Sequence, residues 1–234
     1  MHDILEHMSK FREYAKAWIH VETEIEKQLR ANEILRRLKK TYPKARIALH
    51  YKNNFQLLVA VVLSAQCTDK KVNEITIPLF KKYKTVRDFA RADLKTFEQE
   101  IRQTGFYHNK ARNIIAAANK IAKDFKGTLP KTLREMITIP VVGRKSANVI
   151  LGNAYGFVEG IAVDTHVGRH AQRFRLVDTD NPEKIEQELM KLYKRKEWFT
   201  LTYRIIDHGR AVCTAQRRTC GVCTLKDICP SALI

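Results

Sequence analysis

The sequence predicts an all-α protein. Nine glycines and six prolines are few for 234 residues, and strand-like alternation of polar and apolar residues is scarce. Apolar residues instead recur at helical spacing, between local start and stop signals. The 234 residues suffice for one large or two small domains with a substantial core. Lysine and arginine exceed aspartate and glutamate by 18 charges, the footprint of a polyanionic partner. No apolar run approaches the length of a transmembrane helix, which favours nucleic acid over a membrane. The N-terminus has no apolar signal-peptide core, so an intracellular place is expected, the cytoplasm or nucleoid if the source is prokaryotic.

Residues 1 to about 40 contain no Gly or Pro. Ile4, Met8, Phe11, Ala15, Trp18, Ile25 and Leu29, then Ile34, Leu35 and Leu38, keep roughly helical spacing. One long helix or two short ones are expected, closed by Pro43. Phe55 to Leu63 is nearly continuous apolar sequence, which periodicity cannot assign; in an all-α chain it reads as a buried helix. Asp69 reads as a helix cap and Cys67 as a small buried thiol. Residues 70 to 104 read as two or three helices, with a start signal at Thr85 and Asp88 and a stop at Gly105. Ile114, Ala118, Ile121 and Phe125 mark the next helix, which Gly127 ends.

The centre of the chain is the stretch from Thr132 to His166. Thr132 with Glu135 is a capping-box pattern starting a short helix with Leu133, Met136 and Ile137 on one face. Pro140 ends that helix and Gly143 permits a tight turn. Ala147, Ile150, Leu151 and Ala154 define a second helix that runs to Gly156. Two helices joined by so small a turn form a helix-hairpin-helix. The backbone around Val142, Gly143 and Arg144 can then hold a phosphate without reading base sequence. Lys145 lies just inside the second helix and Asp164 follows downstream. An amine and a carboxylate beside a gripped strand point to nucleophilic attack at a sugar carbon. Further on, Arg169, Arg173 and Arg175 read as a solvated basic helix face. Asn181-Pro182 starts a helix buried along Ile185, Leu189 and Leu192, and Trp198 to His208 forms another, stopped by Gly209.

Cys213, Cys220, Cys223 and Cys229 have the spacing C-x6-C-x2-C-x5-C. Such crowding argues for a metal centre in a reducing compartment rather than a disulfide framework. Ligand chemistry alone does not separate zinc from a [4Fe–4S] cluster, although zinc modules more often pair two short knuckles. Arg217 and Arg218 sit between the first two ligands, where a fixed loop would present them to a DNA phosphate.

The run Ile139-Pro-Val-Val-Gly-Arg-Lys-Ser-Ala-Asn148, with Val163-Asp-Thr-His166 downstream, resembles the helix-hairpin-helix DNA glycosylase superfamily. The Lys145/Asp164 pair and the cysteine spacing resemble its endonuclease III branch, and the order of motifs is similar from about Ile34 to Cys229. This resemblance implies a helical barrel domain over residues 47–157. A second, cluster-bearing domain would join residues 1–46, about the first 25 being an extension, to residues 158–234. It implies a [4Fe–4S] cluster on the four cysteines. Gln66, in Leu63-Ser-Ala-Gln66-Cys-Thr-Asp69, would fill the gap left by a flipped nucleotide. Phe106, in Gly105-Phe-Tyr-His-Asn-Lys110-Ala111, would insert into the base stack. The branch usually has Leu at Phe106, and the family has Gly at Val141 and Pro at Asn54.

The implied partner is double-stranded DNA carrying damaged bases or abasic sites, met by a monomer. The implied reaction is removal of oxidised pyrimidines through a Lys145 Schiff base, followed by β-elimination. Asp164 would stabilise positive charge on the sugar or help deprotonate the amine. A neutral lysine is required, which Arg144 and desolvation would favour. His166 would order its loop or meet a phosphate. A uracil or thymine mismatch glycosylase of the same fold is the alternative, and a non-catalytic hairpin module the second. The end of the chain five residues after Cys229, and Lys145 itself, point away from the adenine glycosylases of the superfamily.

Overall fold

The computed structural model describes residues 22–233; the described residues form helices and no β-strand. Their one extended pairing is an isolated antiparallel bridge between Cys213 and Arg218. The expected apolar positions Ile4 to Trp18 lie outside the described residues. Two compact units divide the chain. One is continuous, Ile47–Glu159; the other combines the chain up to Arg46 with the chain from Gly160 onward.

Helix α1 (Glu24–Thr41) begins at Thr23, whose hydroxyl accepts from the Glu26 N–H while the Glu26 carboxylate accepts from the Thr23 N–H. This capping box is a local start signal that the periodicity hides. Ala31, Ile34 and Leu38 are buried, whereas Ile25 and Leu29 are exposed, so the apolar stripe of this helix is shorter than its spacing implies. Arg30 is buried because its guanidinium is neutralised by Glu22 at 2.7 Å and also donates to the Phe174 carbonyl.

The unit Ile47–Glu159 is built around α2 (Asn54–Leu63), capped by Asn53 and buried on every side from Phe55 to Leu63. A helix apolar all round belongs in a core, and here it is the core. Around it come α3 (Asp69–Lys82), α4 (Val86–Ala90), α5 (Leu94–Glu100) and a 3-10 turn at Arg102–Thr104. The cap of α3 is Thr68; Asp69 is its first helical residue, one position inside the expected cap. Phe55, Tyr83, Phe89 and Phe97 pack edge to face or tilted, with ring centres 5.1–5.9 Å apart. Then follow α6 (Tyr107–Asp124), α7 (Leu133–Met136) and α8 (Arg144–Tyr155).

In the other unit, α9 (Thr165–Arg173), α10 (Pro182–Leu192) and α11 (Arg195–Ala211) share a core with α1 through Val167, Phe174, Leu189 and Leu201. Gly209 does not stop α11 but lies within it. A Cβ there would fall 2.6 Å from His166 Nδ1 and 2.8 Å from His170 Cε1, so this glycine serves the close approach of α9. Arg175 is off the helix, in a left-handed turn after α9.

Candidate functional site

Helix α7 ends at Met136, ahead of Pro140, and its predicted apolar face is incomplete because Ile137 is exposed. The turn that follows is anchored from below by Met136, Ile139 and Val142, all buried. The Val142 N–H donates to the Ile139 carbonyl at 3.1 Å, closing the turn Ile139-Pro140-Val141-Val142. With Pro second and a positive φ third, this is the arrangement of a type II turn, whose third residue is ordinarily Gly or Asn. Here it is Val141, at φ +68°. Gly143, expected to provide the special conformation, is instead extended (φ −82°, ψ 174°) and serves as the N-cap of α8. Val142 is 4% exposed and its N–H is committed, so neither side chain nor N–H is available to a strand. Gly143 and the first turn of α8 supply the helix-start N–H groups. Lys145 is the second residue of α8 and exposed; Arg144 before it is half-buried.

Two further loops of the same unit carry exposed tips on unusual backbone. Gln66 follows the end of α2 at φ +55°. Phe106, 70% exposed at φ +48°, precedes α6 and follows Gly105 at φ +69°. Phe106 therefore does not pack into the core. A large aromatic held out in water on left-handed backbone is a costly arrangement, of the kind found at functional sites.

In the other unit, Asp164 is the N-cap of α9: its Oδ1 accepts from the Val167 N–H at 2.8 Å. The capping bond fixes the carboxylate at the start of the helix. His166 sits in the first turn of α9, its Nδ1 3.1 Å from an Arg169 guanidinium nitrogen. Its carbonyl lies 2.7 Å from His170 Nδ1.

The four cysteines gather about one pocket together with Arg173, Arg218, Lys226 and His208. Burial is the main influence on Cys223 and Cys229, raising both thiols; Cys229 is pushed up to about 11. A metal taking these sulfurs must displace their protons, and the surrounding cations suit the resulting negative charge. Arg173 donates to Cys213 Sγ at 3.0 Å and to the Thr214 carbonyl at 2.8 Å. The Leu225 N–H meets Cys223 Sγ at 3.4 Å. The donor set and its N–H···S contacts fit an iron–sulfur centre. Arg173, read from the sequence as solvated, is thus a support of this loop; only its distance from Cys213 in the fold reveals that. Arg217 is exposed, but Arg218 spends a guanidinium nitrogen on the Ser231 carbonyl at 2.9 Å, tying down the C-terminal segment. His170, His208 and Cys213 also place ligand-type atoms within 4.8 Å of one another beside the pocket.

The model of the HhH-GPD superfamily of base excision DNA repair proteins matches residues 59–195. The endonuclease III of Synechocystis is 47% identical over 206 residues, covering 88% of this chain and 94% of its own. That of Bacillus subtilis is 40% identical, covering 80% and 86% respectively. The solved structure of a trapped endonuclease III–DNA covalent intermediate superposes with a TM-score of 0.84 at 40% identity, over 87% of this chain and 96% of that one. A thermostable thymine-DNA glycosylase shares the fold at 16% identity, with a TM-score of 0.77, over 86% of this chain and 96% of that one. The chain belongs to the endonuclease III family of the HhH-GPD superfamily.

Proposed function

We propose that this protein removes oxidised pyrimidines from duplex DNA as a bifunctional glycosylase and AP lyase, with Lys145 as nucleophile and Asp164 as its charged partner. The carrying observation is the Lys145 amine, exposed on the first turn of the helix that the hairpin opens. The endonuclease III captured as a covalent intermediate on DNA supports the same reading.

The target nucleotide leaves the stack, since C1′ is inaccessible within it. Gln66 and Phe106 occupy the vacated space. The Lys145 lone pair forms a bond to C1′ as the glycosidic bond breaks and its electron pair departs with the base. The amine's proton is lost, the sugar ring opens, and a protonated imine results. Loss of a C2′ proton then expels the 3′ oxygen, and the strand is cut. Asp164, held in place as a helix cap, stabilises the positive charge that develops on the sugar. Lys145 is exposed in the free protein, so its exclusion from water comes with the bound duplex. Gly143 and the first turn of α8 hold a phosphate, with Arg144 beside them, and His166 and Arg217 of the other unit are separate candidate contacts to DNA.

Cys213, Cys220, Cys223 and Cys229 would hold a [4Fe–4S] cluster, which when bound fixes the fold of the loop carrying Arg217. Iron analysis of the purified protein tests this; zinc without iron would overturn it. The enzymatic reading is tested by borohydride trapping on duplexes carrying an abasic site or thymine glycol. A covalent adduct on both, absent in Lys145→Gln protein that still binds DNA, is expected. Trapping in the Lys145→Gln protein would sink the assignment, and trapping on abasic DNA alone would redirect the search to other bases.

A further inference from the structure

We propose that Lys110 is a positioning residue that sets the Gln66 and Phe106 loops in fixed relation to each other, so that both enter DNA together. The inference rests on the proposed function for its consequence, but on geometry for its content. Lys110 lies in the first turn of α6 and is 5% exposed. Its ammonium donates to the Leu63 carbonyl and to the Thr104 carbonyl, each at 2.8 Å. Both acceptors end helical segments: Leu63 is the last residue of α2, and Thr104 closes the 3-10 turn. Terminal carbonyls lack intrahelical donors and carry the negative end of the helix dipole, so one buried cation caps two segments at once.

The loops that leave these two carbonyls are the ones with the projecting tips. Gln66 stands three residues beyond Leu63, and Phe106 two beyond Thr104. The Lys110 N–H also donates to the Phe106 carbonyl at 3.1 Å, fixing the second loop from its other side. Burying an ammonium is expensive, and a solvated lysine would serve solubility better. Desolvation lowers this amine's pKa, the signature of that cost. Left-handed non-glycine residues persist only where their surroundings hold them, and the shared clamp supplies that support at the base of both loops. Charge and helical spacing do not distinguish this lysine from its many solvated neighbours.

Without the clamp the tips move independently, and insertion, which needs both at once, suffers more than chemistry on a site with no base to extrude. The test compares Lys110→Met in wild-type loops and in a Gln66→Ala/Phe106→Ala background. Single-turnover excision from a thymine glycol duplex should fall about 10-fold or more in the first and less than about twofold in the second. Borohydride trapping on an abasic duplex should stay within about threefold, and Lys110→Arg should recover most of the loss. The fluorescence of 2-aminopurine opposite a tetrahydrofuran abasic analogue reports insertion without chemistry, and should fall in Lys110→Met. Equal losses in both backgrounds, or unchanged excision and fluorescence, would overturn the proposal. If Lys110→Met fails to fold, the same comparison in Lys110→Gln decides. A wild-type protein that neither excises nor traps would sink the enzymatic reading, and the fluorescence comparison would still judge the clamp.

Discussion

Replacing Val141 by glycine is expected to stabilise this protein slightly, although glycine ordinarily weakens a fold. Val141 is held at φ +68°, where a β-branched side chain crowds its own backbone. The left-handed conformation costs an L-residue roughly 1–2 kcal/mol, and the upper end applies to valine. Glycine removes that cost. Against it stand about 0.7 kcal/mol of extra unfolded-state entropy and about 0.8 kcal/mol of lost apolar burial; Val141 is 46% exposed, so its burial is partial. The balance is a gain of about 0.5 kcal/mol, or a Tm rise of about 1–2 °C for a protein of this size. Val141→Ala isolates the cause, since it loses the same side chain but keeps a Cβ. At an ordinary position alanine is more stable than glycine by about 0.5–1 kcal/mol; here the order should reverse by about 1 kcal/mol. Thermal unfolding of both variants at one scan rate decides the matter. An alanine variant as stable as the glycine variant would refute the reasoning, because the left-handed turn would then cost nothing.

Asp164→Asn should leave the fold within about 1 kcal/mol, because asparagine caps a helix as well as aspartate does. Base excision should nevertheless fall about 100-fold or more through loss of the charge; normal activity in the Asp164→Asn protein would reduce Asp164 to a cap. His170 is held to about 4, chiefly by burial, against an ordinary value near 6.5. Its folded pKa is depressed, so its stabilisation is full above about pH 6.5 and is lost as pH falls toward 4. Over that window the loss approaches about 3 kcal/mol. Burial holds His208 to about 4 as well, so urea unfolding at pH 7 and pH 4.5 is compared between the wild-type and His170→Asn proteins; an unchanged pH slope in His170→Asn would dismiss His170 as a source.

Short-range signals were readable without the fold. Thr132, Thr85 and Asn181 accept from N–H groups two to three residues ahead, so their caps depend on nearby residues alone. The all-α class follows from such caps with apolar periodicity. Phe55 to Leu63, ambiguous by periodicity, forms a helix because its whole circumference finds apolar neighbours. The hairpin was legible in outline from Pro140 and Gly143, but not which of its residues would take the left-handed conformation. That choice falls on Val141 because Met136, Ile139 and Val142 are all buried beneath the turn, leaving the strain to the residue that faces out.

What the sequence determined, then, is what neighbours along the chain decide between themselves: helix starts, the turn, the cysteine spacing and the basic excess. Tertiary structure decided which of many similar side chains is buried and against what. Lys110 reaches a carbonyl 47 residues away, and Arg173 a sulfur 40 residues away. Charge and helical spacing mark neither, because the acceptor that makes a buried cation tolerable is brought to it only by folding. Gly209 is the same case in reverse: its missing side chain answers to His166 and His170 on another helix, not to any turn in its own.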